Sequence, residues 1–225
     1  MLSQSSLRLI LASQSPRRRE LASAAGWDVI VTPPPEQVEA SADPQRPDET
    51  ITGFVARLAH AKAAAVASSL LPTSPATRDR IILACDTLGE LDGIALGKPR
   101  DQAEAASMIR KLSGRIHRVV TGVSLWIPRA QSHNSPSPAA EEPSSQIADS
   151  YTVLDAVAES SVFMEPVSPT AIDAYLKTNA WQGKAGSCGL QDGLLPLRLT
   201  SGTADTVVGL PVQLVERLID EYFRN

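Results

Sequence analysis

The chain has 225 residues, of which 43% are hydrophobic and 20% charged, the composition of an ordinary globular protein with length enough to bury a core. A formal net charge of -4 argues against a general polyanion-binding surface, so polymeric nucleic acid is not an expected partner and any phosphate site must be local. No charged leader precedes an apolar stretch and no run is long enough to span a bilayer, which leads us to expect a cytoplasmic protein without membrane contact.

Leu7 to Ala12 is a short apolar run that predicts a buried strand. It stops at Ser13-Gln14-Ser15, where Ser15 is suited to cap a helix and Pro16 to its first position, with a glycine stop between Ala22 and Gly26. Unpaired N–H groups at such a helix start attract phosphate, and Arg17 and Arg18 add permanently charged, bidentate donors. This segment makes a phosphorylated ligand the leading expectation, against the plainer alternative of a capped helix whose arginines face water. Apolar spacing at Ile51, Val55 and Leu58 places a helix over 48–70. Arg80 to Cys85 reads as a buried strand that delivers Asp86 at its carboxyl end, where open α/β sheets hold ligand-contacting groups. Thr87 follows directly, and Asp92-Gly93 between apolar positions predicts a hairpin over 88–96. Leu96-Gly97-Lys98-Pro99 then offers a glycine for close backbone approach and a lysine suited to a phosphate oxygen.

An Asp-x-x-Glu pattern opens a helix over 101–112, which ends before Gly114. Arg115 to Ile127 and Tyr151 to Met164 read as strands, separated by Pro128 to Ser150, where Ser, Pro, Ala, Glu and Gln replace the apolar pattern. The expectation is a long antiparallel hairpin with an exposed low-complexity loop, 128–150, at its tip. Ser168-Pro169 opens a helix over 170–177 and a last helix follows Pro211. Helices alternating with strands, some in hairpins, imply an α/β fold with a mixed sheet flanked by helices. Cys85 and Cys188 lack metal-ligand spacing and read as reduced, buried thiols; His117 reads as a packed or exposed histidine. A carboxylate at Asp86, a lysine at Lys98 and an arginine pair are together the parts of a phosphoryl-transfer site, where a protein mainly positions its substrate and neutralises charge.

Five segments, taken in order, resemble the Maf (septum-formation-inhibitor-like) nucleoside triphosphate pyrophosphatases: SQSPRRREL from Ser13, LAHAKA around Lys62, ACDTLGELDGIALGKP from Ala84 onward to Leu125, GKAGSCGLQ from Gly183 and VVGLP from Val207. The resemblance runs from the first strand to the last helix and implies one Maf-like domain over 1–225. It implies an elongated mixed sheet with two lobes around a nucleotide-binding cleft, of the Maf/ITPase-like kind, commonly as a homodimer. It further implies hydrolysis of a nucleoside triphosphate to the monophosphate and pyrophosphate, with a divalent cation (Mg, Mn or Co). Carried over residue by residue, Asp86 is the proton acceptor or a metal ligand, and Ser13, Ser15, Arg17 and Arg18 form the phosphate-binding segment. Lys62, Lys98 and Lys184 surround the triphosphate, and Glu39, or its neighbour Glu36, is the acid that assists as metal ligand or base partner.

Base choice in this family is set at the positions matching Arg17, Thr87 and Gln191, a combination resembling the dTTP/UTP branch, with CTP or modified pyrimidines as extensions. A 7-methyl-GTP pyrophosphatase and a non-catalytic nucleotide-binding regulator of cell division are the alternatives. An arginine at position 17 would repel a cationic methylated purine, whereas a glutamine amide can pair with a uracil or thymine edge. Two departures stand out. Gly183 replaces an acidic residue often found before the lysine, and an aromatic common near Cys188 is absent.

Overall fold

The computed structural model describes residues 7–36, 38, 45–70, 77, 79–129 and 150–224. Strand β1 (Arg8–Leu11) has its last three residues buried, and the chain leaves it through Ser13 into α1 (Pro16–Ala24). The Ser15 hydroxyl accepts from Arg18 N at 3.4 Å, so the serine cap and the proline start both form as expected. Gly26, at φ +76°, turns the chain into β2 (Asp28–Val31), which lies parallel to β1. Helix α2 (Ile51–Leu70) packs on β3 (Ile81–Leu91), and a two-residue turn at Asp92 and Gly93, both at positive φ, leads back into β4 (Ile94–Leu96). Helix α3 (Gln102–Leu112) is capped by Asp101, whose carboxylate accepts from Glu104 N at 2.8 Å.

Strands β5 (Ile116–Pro128) and β6 (Tyr151–Met164) form the long antiparallel pair, in register from Ile116↔Phe163 to Pro128↔Tyr151. Residues 130–149 of the expected loop lie outside the described residues. Beyond β6 come α4 (Pro169–Lys177), two single 3-10 turns at Ala185–Ser187 and Leu190–Asp192, β7 (Leu197–Ser201), α5 (Ala204–Val208) and α6 (Val212–Arg224). Among the described residues the strands form one mixed sheet in the order β2-β1-β3-β5-β6-β7, with β4 also paired to β3.

One expectation is corrected here. Asp86 does not end a strand at Cys85, because β3 runs on to Leu91, held along Ile82 to Glu90 by β5. The opposite edge of β3 is shared: β1 pairs only with Ile81 to Leu83, and β4 only with Gly89 to Leu91. Residues 84–88 thus face an opening in the sheet rather than a neighbouring strand. A mid-strand aspartate gains access to ligand through this gap instead of through a strand terminus.

Strand alternation then sorts the core. Leu9, Leu11, Leu83, Cys85 and Leu125 join Leu210 and Ile219 on the α6 face, while Ile10, Ala12, Ile82, Ala84 and Trp126 join Ala63 and Val66 of α2 on the other. A separate cluster gathers Leu91, Leu96, Ile109, Met164, Tyr175 and Trp181 around α3 and α4. Gly122 matters here. A Cβ at this position would sit 2.3 Å from Val55 O, so only glycine lets the α2 backbone lie directly on β5 beside Asp86.

Candidate active site

A cavity of about 420 Å³ opens at the gap in the sheet, and its wall includes Ser13, Ser15, Arg17, Arg18, Lys62, Asp86, Thr87, Lys98, Lys184 and Gln191. The structure therefore brings together in one place every site residue expected from the sequence that it describes, except for the acid at 36 or 39. Glu39 lies outside the described residues, and Glu36 is exposed and not part of the cavity wall.

Asp86 is the sole carboxylate among the described residues of that wall, facing the cations Arg17, Arg18, Lys62, Lys98 and Lys184. In a protein of net charge -4 this is a strong local reversal of sign. Lys62 projects from α2 and donates to Asp86 Oδ1 at 2.5 Å; both side chains are largely withdrawn from water. Lys184, equally buried, is paired with the carboxylate of Asp192, one residue beyond Gln191. The carboxylate missing from position 183 is thus supplied from the 3-10 turn, nine residues later. Gly189 makes room for it, since a Cβ there would stand 2.7 Å from Asp192 Oδ2. Gly186 N donates to Gly97 O at 3.0 Å and ties this lysine segment to the one bearing Lys98.

The arginine pair divides its work. Arg17 is half-buried at the rim, where Nη2 donates to Gly183 O at 3.3 Å. Arg18 is a brace: Nε donates to Gly209 O (2.8 Å), Nη1 to Cys85 O (2.8 Å) and Ser13 Oγ (3.3 Å), and Nη2 to Thr87 Oγ1 (3.1 Å). A guanidinium has five N–H groups, so most of its donor capacity is spent on holding α1, β3 and the segment after α5 together. The Cys85 carbonyl it satisfies belongs to the stretch of β3 that β5 pairs on one edge and no strand covers on the other. Gly209, at φ +108°, completes this brace because a Cβ would lie 2.7 Å from Thr87 Oγ1 and 3.2 Å from Arg18 Nε. Thr87 also contacts Thr121 Oγ1 at 2.9 Å, and Thr121 donates to Thr206 O at 2.8 Å.

His117 lies buried in the cavity wall, and loss of solvation pushes its imidazole down to about 4, against a smaller opposing effect of the Arg115 backbone. Burial pushes the free thiols of Cys85 and Cys188 up, to about 11 and about 12, so both are protonated and poor nucleophiles at neutral pH, as expected of packed cysteines. Sequence reasoning did not single out Thr121, Asp192 or Gly209 as individuals. Only Gly209 carried a local signal, a glycine before a proline-led helix within VVGLP.

Among the described residues no group of three or more His, Cys, Asp and Glu side chains could hold a metal by itself. The donor set still suits a hard cation of the Mg²⁺ type, which takes one or two carboxylates and completes its shell with substrate phosphates and water.

The model of the Maf family, described as Maf-like protein, matches residues 8–222. The dTTP/UTP pyrophosphatase of Rhodopirellula baltica is 35% identical over 218 residues, covering 96% of this chain and 83% of its own length. The dTTP/UTP pyrophosphatase of Pyrococcus abyssi is 34% identical over 217 residues (96% of this chain, 97% of the relative), and that of Escherichia coli 33% over 217 residues (95% and 92%). Matched this way from its first strand into its last helix, the chain belongs to the Maf family.

Proposed function

We propose that this protein is a nucleoside triphosphate pyrophosphatase that hydrolyses dTTP and UTP between the α and β phosphates. Water adds to the α phosphorus, the bond to the bridging oxygen breaks, and the products are the nucleoside monophosphate and pyrophosphate. The observation that carries the reading is the cavity wall itself: among its described residues one carboxylate, Asp86, set among Arg17, Lys62, Lys98 and Lys184 at an opening in the sheet. Such an arrangement concentrates positive charge where a triphosphate would lie, and it neutralises charge that develops on the leaving pyrophosphate. A pure binder has no need of a carboxylate in that wall, since it repels phosphate.

Asp86 is assigned either to take the proton of the attacking water or to hold a divalent cation together with phosphate oxygens. When bound, that cation supplies charge neutralisation and a more acidic water. Lys62 fixes the carboxylate by its 2.5 Å hydrogen bond, so that one oxygen is oriented and the carboxylate cannot swing away. Ser13 and Ser15 shape the turn into α1, Ser13 Oγ accepting from Ser15 N at 3.1 Å, and present the helix start to phosphate. Arg17, Thr87 and Gln191 are assigned to base choice. The reading brings with it a homodimer and a cytoplasmic location, as the family resemblance implies; among the described residues no helix is long and apolar enough to cross a membrane.

The test is a panel of dTTP, UTP, CTP, GTP, ATP and 7-methyl-GTP with Mg, Mn or Co, with products separated and pyrophosphate assayed. Monophosphate and pyrophosphate from dTTP and UTP are expected, abolished by EDTA and restored by excess metal. Preference for 7-methyl-GTP would overturn the base assignment, and nucleotide binding with no turnover at all would return the protein to the regulatory alternative.

A further inference from the structure

Neighbouring residues on β3 point to opposite faces of the sheet, so Asp86 and Thr87 reach the one cavity from two sides of the gap. On the Thr87 side the register sets Thr87 against Thr121 and Gly89 against Val119, and Val119, Val162 and Leu197 form an apolar stretch of cavity wall. That stretch, away from the Asp86–Lys62 pair, suits a planar base, as the cation-rich end suits the phosphates.

The hydroxyl hydrogens on this side can be assigned from the hydrogen-bond partners alone. Thr121 is fully buried and its single proton is given to Thr206 O at 2.8 Å. In the 2.9 Å contact between the two threonines, Thr87 must therefore be the donor and Thr121 the acceptor. Thr87 Oγ1 in turn accepts from Arg18 Nη2 at 3.1 Å. The proton of Thr87 is directed away from the cavity, and what its oxygen offers a ligand is a lone pair only.

We infer that Thr121, which is not part of the cavity wall, is a specificity-determining positioning residue. By locking the Thr87 hydroxyl as an acceptor it favours pyrimidines with a ring N–H, uracil and thymine, over cytosine, whose ring nitrogen is itself an acceptor. The inference rests on the nucleoside triphosphate reading of the cavity and sharpens it to a single atom of the base. Lone pair against lone pair in a partly dehydrated wall is the kind of mismatch that gives a site its discrimination.

Thr121→Val removes both the acceptor that holds the Thr87 proton and the donor to Thr206, and frees Thr87 to turn its proton toward the base. The wild-type protein, Thr121→Val and Thr121→Ser are to be compared on UTP, dTTP and CTP at one metal concentration. The expected result is a UTP-to-CTP ratio of kcat/KM that narrows by about tenfold in Thr121→Val, mostly through KM, and recovers in Thr121→Ser. A merely structural role would depress both nucleotides alike and leave the ratio where it was, and that outcome overturns the inference. Should Thr121→Val not fold, 3-methyl-UTP tests the same atom in the unaltered protein. Loss of about tenfold or more against UTP is expected, and equal turnover overturns the inference. Wild-type protein that turns over UTP and CTP equally overturns the inference alone, whereas failure to release pyrophosphate from any nucleotide overturns the functional reading beneath it.

Discussion

The two faces of β3 at Asp86 and Thr87 are organised on different plans. Among the described residues Asp86 is held by a charge-assisted hydrogen bond from Lys62, on a helix seated directly against the sheet at Gly122. Thr87 is one node of a network joining α1 through Arg18, β5 through Thr121, α5 through Thr206 O and the following segment through Gly209. Chemistry on one reactive carboxylate needs little more than a fixed position and a fixed charge. Recognition of a base edge needs the direction of a proton fixed as well, and that takes several partners in series. Damage to the first face should therefore show as loss of rate, and damage to the second as altered stability and selectivity.

The largest expected effect belongs to the first face. Asp86→Asn keeps the shape and a hydrogen-bond acceptor for Lys62 but removes the negative charge, and kcat on UTP should fall by about 10²- to 10⁴-fold. Binding of a non-hydrolysable UTP analogue, followed by calorimetry, should persist. Turnover within tenfold of wild type would move the central role from Asp86 to another group.

On the second face the sharpest single break is Gly209→Ala. The residue sits at φ +108°, and the added methyl group would meet Thr87 Oγ1 at 2.7 Å and two nitrogens of Arg18 at 3.2 Å. Backbone strain of this kind costs about 1–3 kcal/mol, to be read as a lower urea midpoint with an unchanged slope. Because the same methyl displaces the Arg18 brace, kcat/KM should fall together with the UTP-to-CTP preference, while kcat at saturation holds better than in Asp86→Asn. An unchanged midpoint would mean that the segment after α5 yields freely, and the contrast between the Asp86 face and a networked Thr87 face would weaken.

What could be read from the sequence divides along the same line. The Ser15-Pro16 helix start, the Asp92-Gly93 turn and the Asp101 cap all form, because each depends on groups within four residues of one another. The span from Tyr151 to Met164 was legible for a similar reason: alternation and a composition break bound it on both sides. Asp86 reads from sequence as a candidate site residue at a strand end, since an acidic residue after an apolar run reads that way, and the structure sets it mid-strand in the cavity wall instead. Nothing local says that β5 will carry the strand five residues further. The Arg18 brace reaches Gly209 across 191 positions and Thr87 meets Thr121 across 34. Such partners are chosen by the fold rather than by spacing, so Arg18 reads from sequence as a phosphate donor and only the structure shows how much of it is spent on the protein. The replacement of an acid at position 183 by one at Asp192 is of the same kind: the sequence shows a loss, and the turn at Leu190–Asp192 restores the charge to Lys184.

The smallest effect concerns His117, which shares the Thr87 face of the sheet two residues before Val119. Its imidazole titrates near 4 in the folded protein, held neutral by burial, against about 6.5 when the chain is unfolded. Between these values the unfolded state binds the proton and the folded state does not, so stability rises with pH across the window. The contribution is complete above about pH 6.5 and is lost as pH falls toward 4, amounting to about 2 kcal/mol by pH 5. Replacing His117 with Gln should flatten the pH dependence of stability, read from the urea midpoint, by about 2 kcal/mol between pH 5 and 7 and leave it unchanged above pH 7. His60, hydrogen bonded to Asp155 through Nδ1 at 2.9 Å, is the same in both proteins and cancels in the comparison. Since His117 stays neutral through the working range, the activity profile from pH 6 to 8 should be the same with Gln in its place. A shift of that profile would show that the imidazole takes part in binding the nucleotide as an ionised group, and the division of the cavity into a charged end and an uncharged end would then fail.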